Sequence, residues 1–155
     1  TGASAANWRR RLSAIDWSSG DADRGRSVFE SKACHRCHSG SNRLGPDLRG
    51  AVTRWNRLDL FASIYDPHAE VAEPYRTTAI VTQAGQVYTG LLVYDSPEGL
   101  LLRTTPDSTV RLTGKQVDTR FTSTRSFMPD GLLDDLSDEQ LADLGAFLQT
   151  LRSVE

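Results

Sequence analysis

Apolar residues recur at helical spacing towards both ends of this chain and alternate with polar residues through its middle. Ala22, Gly25, Phe29 and Ala33 share one face of a helix that Asp21 would cap. Upstream, Asn7 to Ile15 (NWRRRLSAI) reads as a short amphipathic helix. Leu58, Phe61, Ala62 and Tyr65 predict another short helix, closed by Asp66-Pro67. Near the end, Ser137 and Gln140 form a capping box, and Leu136 with Leu141 is placed as a hydrophobic staple. Leu141, Leu144, Leu148 and Leu151 then make one stripe, flanked by Ala142, Ala146 and Phe147.

The period changes to two near Tyr75. Thr77 to Thr82 is rich in β-branched residues. From Gln86 to Tyr94, Val87, Thr89, Leu91 and Val93 fall on one face, opposite Tyr88, Gly90, Leu92 and Tyr94. Ala84-Gly85 and Ser96-Pro97-Glu98-Gly99 are turn chemistry, and Leu100 to Thr104, Thr109 to Leu112 and Gln116 to Phe121 supply further strands. Residues 75–122 therefore predict an antiparallel sheet of roughly three to five strands inserted into an otherwise helical domain. Ser39 to Gly50, with three glycines and a proline, reads as a connector. The expected organisation is an N-terminal extension, or the tail of a preceding domain, over residues 1–20, then one domain over 21–155, α+β overall.

The chemistry is concentrated in Cys34-His35-Arg36-Cys37-His38, which holds both cysteines of the protein. Cys-x-x-Cys-His is the attachment signature of haem c. Each thiol can add across one vinyl group, and the histidine after the second cysteine can reach the iron from the proximal side. A zinc site would need about four ligands, and the chain offers no further cysteine and only His68 as a spare histidine. A thioredoxin-like pair would be expected in a βαβ context, which this segment lacks. His35 reads as an exposed spacer. One haem c, attached through Cys34 and Cys37 with His38 on the iron, is the expected cofactor.

Met128 is the one methionine of the chain and stands in Ser126-Phe127-Met128-Pro129, just before the final helix. A thioether is a soft donor that raises the reduction potential relative to a second imidazole, so Met128 is the candidate sixth ligand. The alternative is a methionine packed as core filler. His68 is the other distal candidate, and an open distal position would admit small gases or peroxide.

Composition refines this picture. At 155 residues with 38% hydrophobic content, the chain is apolar-poor for one domain, and a buried macrocycle would add apolar surface. No run of about 18 apolar residues exists to span a membrane. Thr1 to Asn7 lacks the apolar core of a signal peptide, yet haem c is attached outside the bacterial cytoplasm, so an exported, periplasmic chain is expected. Lys32, Arg36, Arg43, Arg49, Arg54 and Arg57 stand against Asp47 alone between Lys32 and Arg57. Asp130, Asp134, Asp135, Asp138, Glu139, Asp143 and Glu155 stand against Arg152 alone at the end. Such asymmetry can orient a redox partner, or it is solvated surface. There is no basic aromatic platform for nucleic acid.

Asp23-Arg24-Gly25-Arg26-Ser27-Val28-Phe29, the Cys-x-x-Cys-His motif, Gly45-Pro46-Asp47-Leu48-Arg49-Gly50, the lone Met-Pro and the last helix together resemble class I cytochrome c. Tyr65-Asp66-Pro67, Tyr75, Gly85, Gly90 and Ser126-Phe127-Met128-Pro129-Asp130-Gly131-Leu132 narrow the resemblance to the haem-binding domain of Pirellula/Verrucomicrobium type, over roughly residues 20–152. The resemblance implies a mainly α cytochrome c fold carrying the inserted antiparallel sheet. It implies that the Pro46 carbonyl accepts a hydrogen bond from the proximal imidazole. It also implies that Gly25 and Phe29 cross the last helix at Leu144 and Phe147. Arg49, Arg54 and Trp55 are candidate partners for haem propionates, by charge and indole N–H donation. The long stretch between His38 and Met128 departs from small cytochromes c.

The expected function is one-electron transfer rather than catalysis, with a redox partner protein or an upstream dehydrogenase domain as donor. The alternative is a sensor or binder of CO or NO in which Met128 is displaced.

Overall fold

The computed structural model describes residues 2–41 and 43–152; Thr1, Asn42 and residues 153–155, Glu155 of the acidic run among them, lie outside the described residues. Helices α1 (Gly2–Ala14), α2 (Ala22–Ser31), α3 (Cys34–His38), α4 (Leu48–Arg54) and α5 (Arg57–Tyr65) precede a five-stranded sheet, and α6 (Asp138–Thr150) follows it. The strands are β1 (Arg76–Thr82), β2 (Val87–Ser96), β3 (Gly99–Thr105), β4 (Ser108–Thr113) and β5 (Val117–Ser126), in spatial order β4-β3-β2-β1-β5, with every pairing antiparallel. The fold is α+β, a helical body with the antiparallel sheet set between α5 and α6.

The helical body is organised by the crossing of α2 and α6. A Cβ built on Gly25 would lie 1.9 Å from the Asp143 carbonyl oxygen, so the backbones meet where there is no side chain. Phe29 and Phe147 pack with ring centroids 5.0 Å apart, and Leu144 is buried beside them. This is the crossing expected from the sequence. The capping box at the start of α6 forms as expected, Ser137 accepting from the Gln140 N–H and Gln140 from that of Ser137. Leu136 and Leu141 are both buried in the helical core.

A buried carboxylate locks the same crossing. Asp143 on α6, 2% exposed, accepts the backbone N–H of Asp21 at 2.7 Å and a bidentate pair from Arg24 at 2.8 Å. Asp21 in turn caps α2 by accepting the Arg24 N–H. The Arg24 hydrogen bonds hold the Asp143 carboxyl below the ordinary carboxylate range despite the opposing cost of burial. A lowered folded-state pKa contributes stability that is complete above the unfolded value of about 3.9 and is lost as pH falls through the folded value. The wild-type melting temperature is therefore expected to fall steeply below about pH 4. Asp143→Asn is expected to be less stable by about 2 kcal/mol at neutral pH and to approach the wild type in acid, read from thermal melts across pH.

Helix α1 is longer than the Asn7–Ile15 segment suggested and lies on α5. Trp8 stacks on Tyr65 at 5.7 Å, and Leu12 is 1% exposed. Trp17, whose indole N–H donates to the Leu12 carbonyl, packs on Phe61 with centroids 5.0 Å apart. Helix α5 ends at Tyr65 with Asp66 as its cap, as read from Asp66-Pro67.

Four further features differ from the sequence reading. The Ser39–Gly50 connector is shorter, because Asp47 accepts the Arg49 N–H and starts α4 at Leu48. Helix α2 stops at Ser31, so Ala33 is not on its face; it takes φ 57° and turns the chain into α3. Strand β5 continues to Ser126, so the sheet spans 76–126 rather than ending at 122. The two-face alternation of β2 also breaks, with Leu91 buried but Val87 and Val93 exposed. β2 pairs with β1 over Val87–Gly90 and with β3 from Leu91 onward, with a register shift between Leu92 and Tyr94.

The sheet has a core of its own. Ile80, Leu100, Leu102 and Leu112 are buried together, with Tyr88, Leu92, Val110 and Val117 against them. Its attachment to the helical body runs through the segments that enter and leave it. Arg76 Nε donates to the Val71 carbonyl at 2.9 Å on the way in, and His68 meets Ser126 on the way out.

Candidate functional site

Local turn chemistry presents the motif. The left-handed turn at Ala33 breaks the path of α2, and the Arg36 N–H donates to the Ala33 carbonyl as α3 begins. Cys34 is thereby half-buried against the helical core, and Cys37 is half-buried one turn on. Burial pushes the Cys34 thiol up to about 11 and raises that of Cys37 as well. No disulfide joins them.

His38 ends α3, where the following loop returns to meet it. The Gly45 N–H donates to the Cys37 carbonyl at 3.0 Å, and His38 Nδ1 lies 2.8 Å from the Pro46 carbonyl oxygen. A carbonyl can only accept, so the ring proton sits on Nδ1 and the Nε2 lone pair is left for a metal. Burial lowers the His38 pKa more than the Pro46 bond raises it, and nearby Arg43 lowers it further. The imidazole is thus held neutral, as a metal ligand requires.

Gly45 completes the cradle. A Cβ there would lie 2.6 Å from His38 Cε1 and 2.9 Å from Nδ1. The sequence reading placed Gly45 in a connector and in the Gly45–Gly50 stretch of the class I cytochrome c resemblance but gave it no role; the Gly-Pro pair signals a turn, but only the folded loop sets that backbone against the ring. Gly45→Ala is expected to tilt the imidazole and weaken its hold on a metal about tenfold or more. Loss of the low-spin haem spectrum on mild heating, at temperatures where the wild type keeps it, is the check.

These residues fit haem c. Two cysteines, spaced as the signature requires, lie on the same short helix as an imidazole with Nδ1 anchored and Nε2 available. Cys34 and Cys37 would hold the macrocycle and His38 its iron. When bound, the group supplies a metal centre that exchanges one electron.

The remaining candidates are placed as follows. Pro46 is joined to His38 directly. Arg49 and Arg54 lie on α4 and Trp55 caps it, all three exposed, and their side chains make no hydrogen bond or ion pair among the described residues. His35 is exposed, as expected of a spacer. Met128 is half-buried in the turn after β5, where its N–H donates to Ser126 Oγ at 3.0 Å. His68, weighed as a distal ligand, has both ring nitrogens facing that turn. Nδ1 accepts the Ser126 N–H at 3.1 Å, and Nε2 lies 3.4 Å from Asp130 Oδ2. The sheet also approaches the motif, with Asp107 of the β3–β4 turn 3.8 Å from Arg36, an exposed pair worth about 0–1 kcal/mol.

Residues 20–81 match the family model described as cytochrome c oxidase, cbb3-type, subunit III. The matched family is one of c-type cytochrome domains. The match begins at the entry to α2, contains the motif, the Gly45-Pro46 cradle, α4 and α5, and ends inside β1, before Met128. It covers less than half of the chain and carries nothing specific to the Pirellula/Verrucomicrobium type. Among curated proteins none matches the chain. A c-type cytochrome domain implies haem c, electron transfer rather than catalysis of its own, and a redox partner. No helix among the described residues is long and apolar enough to cross a membrane.

Proposed function

We propose that this chain is a single-haem electron carrier whose iron is held by His38 and Met128. The observation that carries this reading is the preorganised proximal side: a neutral imidazole with Nδ1 bound to the Pro46 carbonyl, on the helix that bears both thiols. Such anchoring fixes ring orientation and tunes ligand basicity. Met128 is the one thioether of the chain, and its turn is tied to His68 at Ser126 and braced by the Met128 N–H on Ser126 Oγ. Arg49, Arg54 and Trp55, exposed just past Pro46, supply donors for propionates.

In this reading, the protein's part is to keep the iron's environment the same in both oxidation states. His38 keeps its proton on Nδ1, Gly45 and Pro46 stop the ring from turning, and the helical core excludes water around Cys34. The narrower Pirellula/Verrucomicrobium resemblance supports an exported, periplasmic chain that receives electrons from a dehydrogenase domain or partner.

The test is an absorption spectrum of the holoprotein, ferric and then reduced, before and after CO. A thioether–ferric charge-transfer band and slow reaction with CO are expected of the carrier. A high-spin reduced spectrum that changes at once with CO would transfer the assignment to a small-ligand sensor.

A further inference from the structure

The turn that carries Met128 is gripped from outside by one side chain. His68 follows Pro67 in the tight turn after α5, where the Ala69 N–H donates to the Asp66 carbonyl. Pro67 is buried and the His68 side chain is 16% exposed, so the ring stands on a rigid base continuous with the helical core. Its Nδ1 accepts the Ser126 N–H at 3.1 Å, and its Nε2 lies 3.4 Å from Asp130 Oδ2. Ser126 and Asp130 stand two residues before and two residues after Met128. Within that span, Ser126 Oγ accepts the Met128 N–H at 3.0 Å, and Arg125, just before it, lies 3.5 Å from the same Asp130 oxygen.

We propose that His68 is the positioning residue for Met128: by accepting the Ser126 N–H, with Asp130 facing its other ring nitrogen, it holds the Ser126–Asp130 turn against the helical body and keeps the thioether on the iron. This rests on the His38/Met128 reading above. The bond pattern sets the tautomer. An amide N–H can only donate, so Nδ1 must carry the lone pair and the ring proton lies on Nε2, facing the Asp130 carboxylate. His68 therefore serves the iron through the backbone of the turn and does not touch it. The physical need is plain from the topology. Met128 reaches the helical body only after a five-stranded excursion with its own core, so a tie from α5 must return it to a fixed place.

Holoprotein of the wild type, His68→Ala and His68→Asn separates the possibilities. Asn Oδ1 sits where Nδ1 does and can accept the Ser126 N–H. In His68→Ala the thioether–ferric band is expected to weaken, and CO to bind the reduced form at least about tenfold faster, the usual scale of losing an outer-shell partner. His68→Asn is expected to restore both. If His68→Ala does not accumulate, exchange of the Ser126 amide in reduced wild type is read instead, and protection is expected. A His68→Ala protein with the wild-type band and CO rate overturns the proposal, as does an Asn variant no better than Ala, or a freely exchanging Ser126 amide. A wild type without the thioether band overturns the ligation by Met128 and this proposal with it, which distinguishes the two failures.

Discussion

Met128→Ala is expected to lower the midpoint potential of the holoprotein by roughly 100–200 mV, a fraction of the roughly 0.8 V that axial ligands span. The thioether favours ferrous iron because it is soft and neutral; water or hydroxide in its place favours ferric iron. The same change should open a coordination position, so that the reduced protein binds CO without having to displace a side chain. Stability should fall by less than a typical core truncation, since Met128 is only half-buried. Potentiometric titration with spectra in both oxidation states measures this directly. An unchanged potential would remove Met128 from the iron and return it to the role of packing residue.

Gly25→Val is expected to have the largest structural effect. The space for a side chain at position 25 is occupied by the backbone of α6, with the Asp143 carbonyl oxygen at 1.9 Å and Phe147 Cβ at 2.8 Å from an ideal Cβ. Neither is the free end of a flexible side chain, so α2 and α6 must separate. Separation breaks the Phe29–Phe147 contact and pulls Arg24 and Asp21 away from Asp143. A loss of about 3 kcal/mol or more is expected, combining overpacking with the abandoned hydrogen bonds. Because α3 follows directly from α2, haem attachment at Cys34 should suffer too. Denaturant unfolding of the apoprotein and the yield of covalent holoprotein report the two effects separately. Wild-type stability in this variant would mean that the crossing is looser than its geometry indicates.

What could be read in the sequence is what short-range chemistry determines. Cys34, Cys37 and His38 lie within five positions, so one helical turn suffices to present them together, and the motif is legible without knowledge of the rest. The same holds for the Ser137–Gln140 capping box, the Asp21 cap and the Leu141-to-Leu148 stripe, each a relation between residues three or four apart. The sheet announced itself through its period of two, although β2, which changes partner from β1 to β3 along its length, did not keep the two faces that the alternation assigned. Asp47 as a helix cap was hidden by the glycines around it, which read as a loop.

Tertiary structure decided what depends on contacts between distant segments. Gly45 becomes a cradle for the His38 ring only because the loop folds back on α3. Asp143, an ordinary acidic residue within a helix pattern, becomes a buried lock because the α2–α6 crossing brings Asp21 and Arg24 to it. His68 and Ser126 are separated by the whole sheet, and no periodicity or spacing relates them; the fold brings one to accept a hydrogen bond from the other. Sequence by itself determined the chemistry this chain offers, because thiols and an imidazole at fixed spacing carry it locally. The tertiary structure decided how that chemistry is held, because orientation and burial come from packing between elements far apart along the chain.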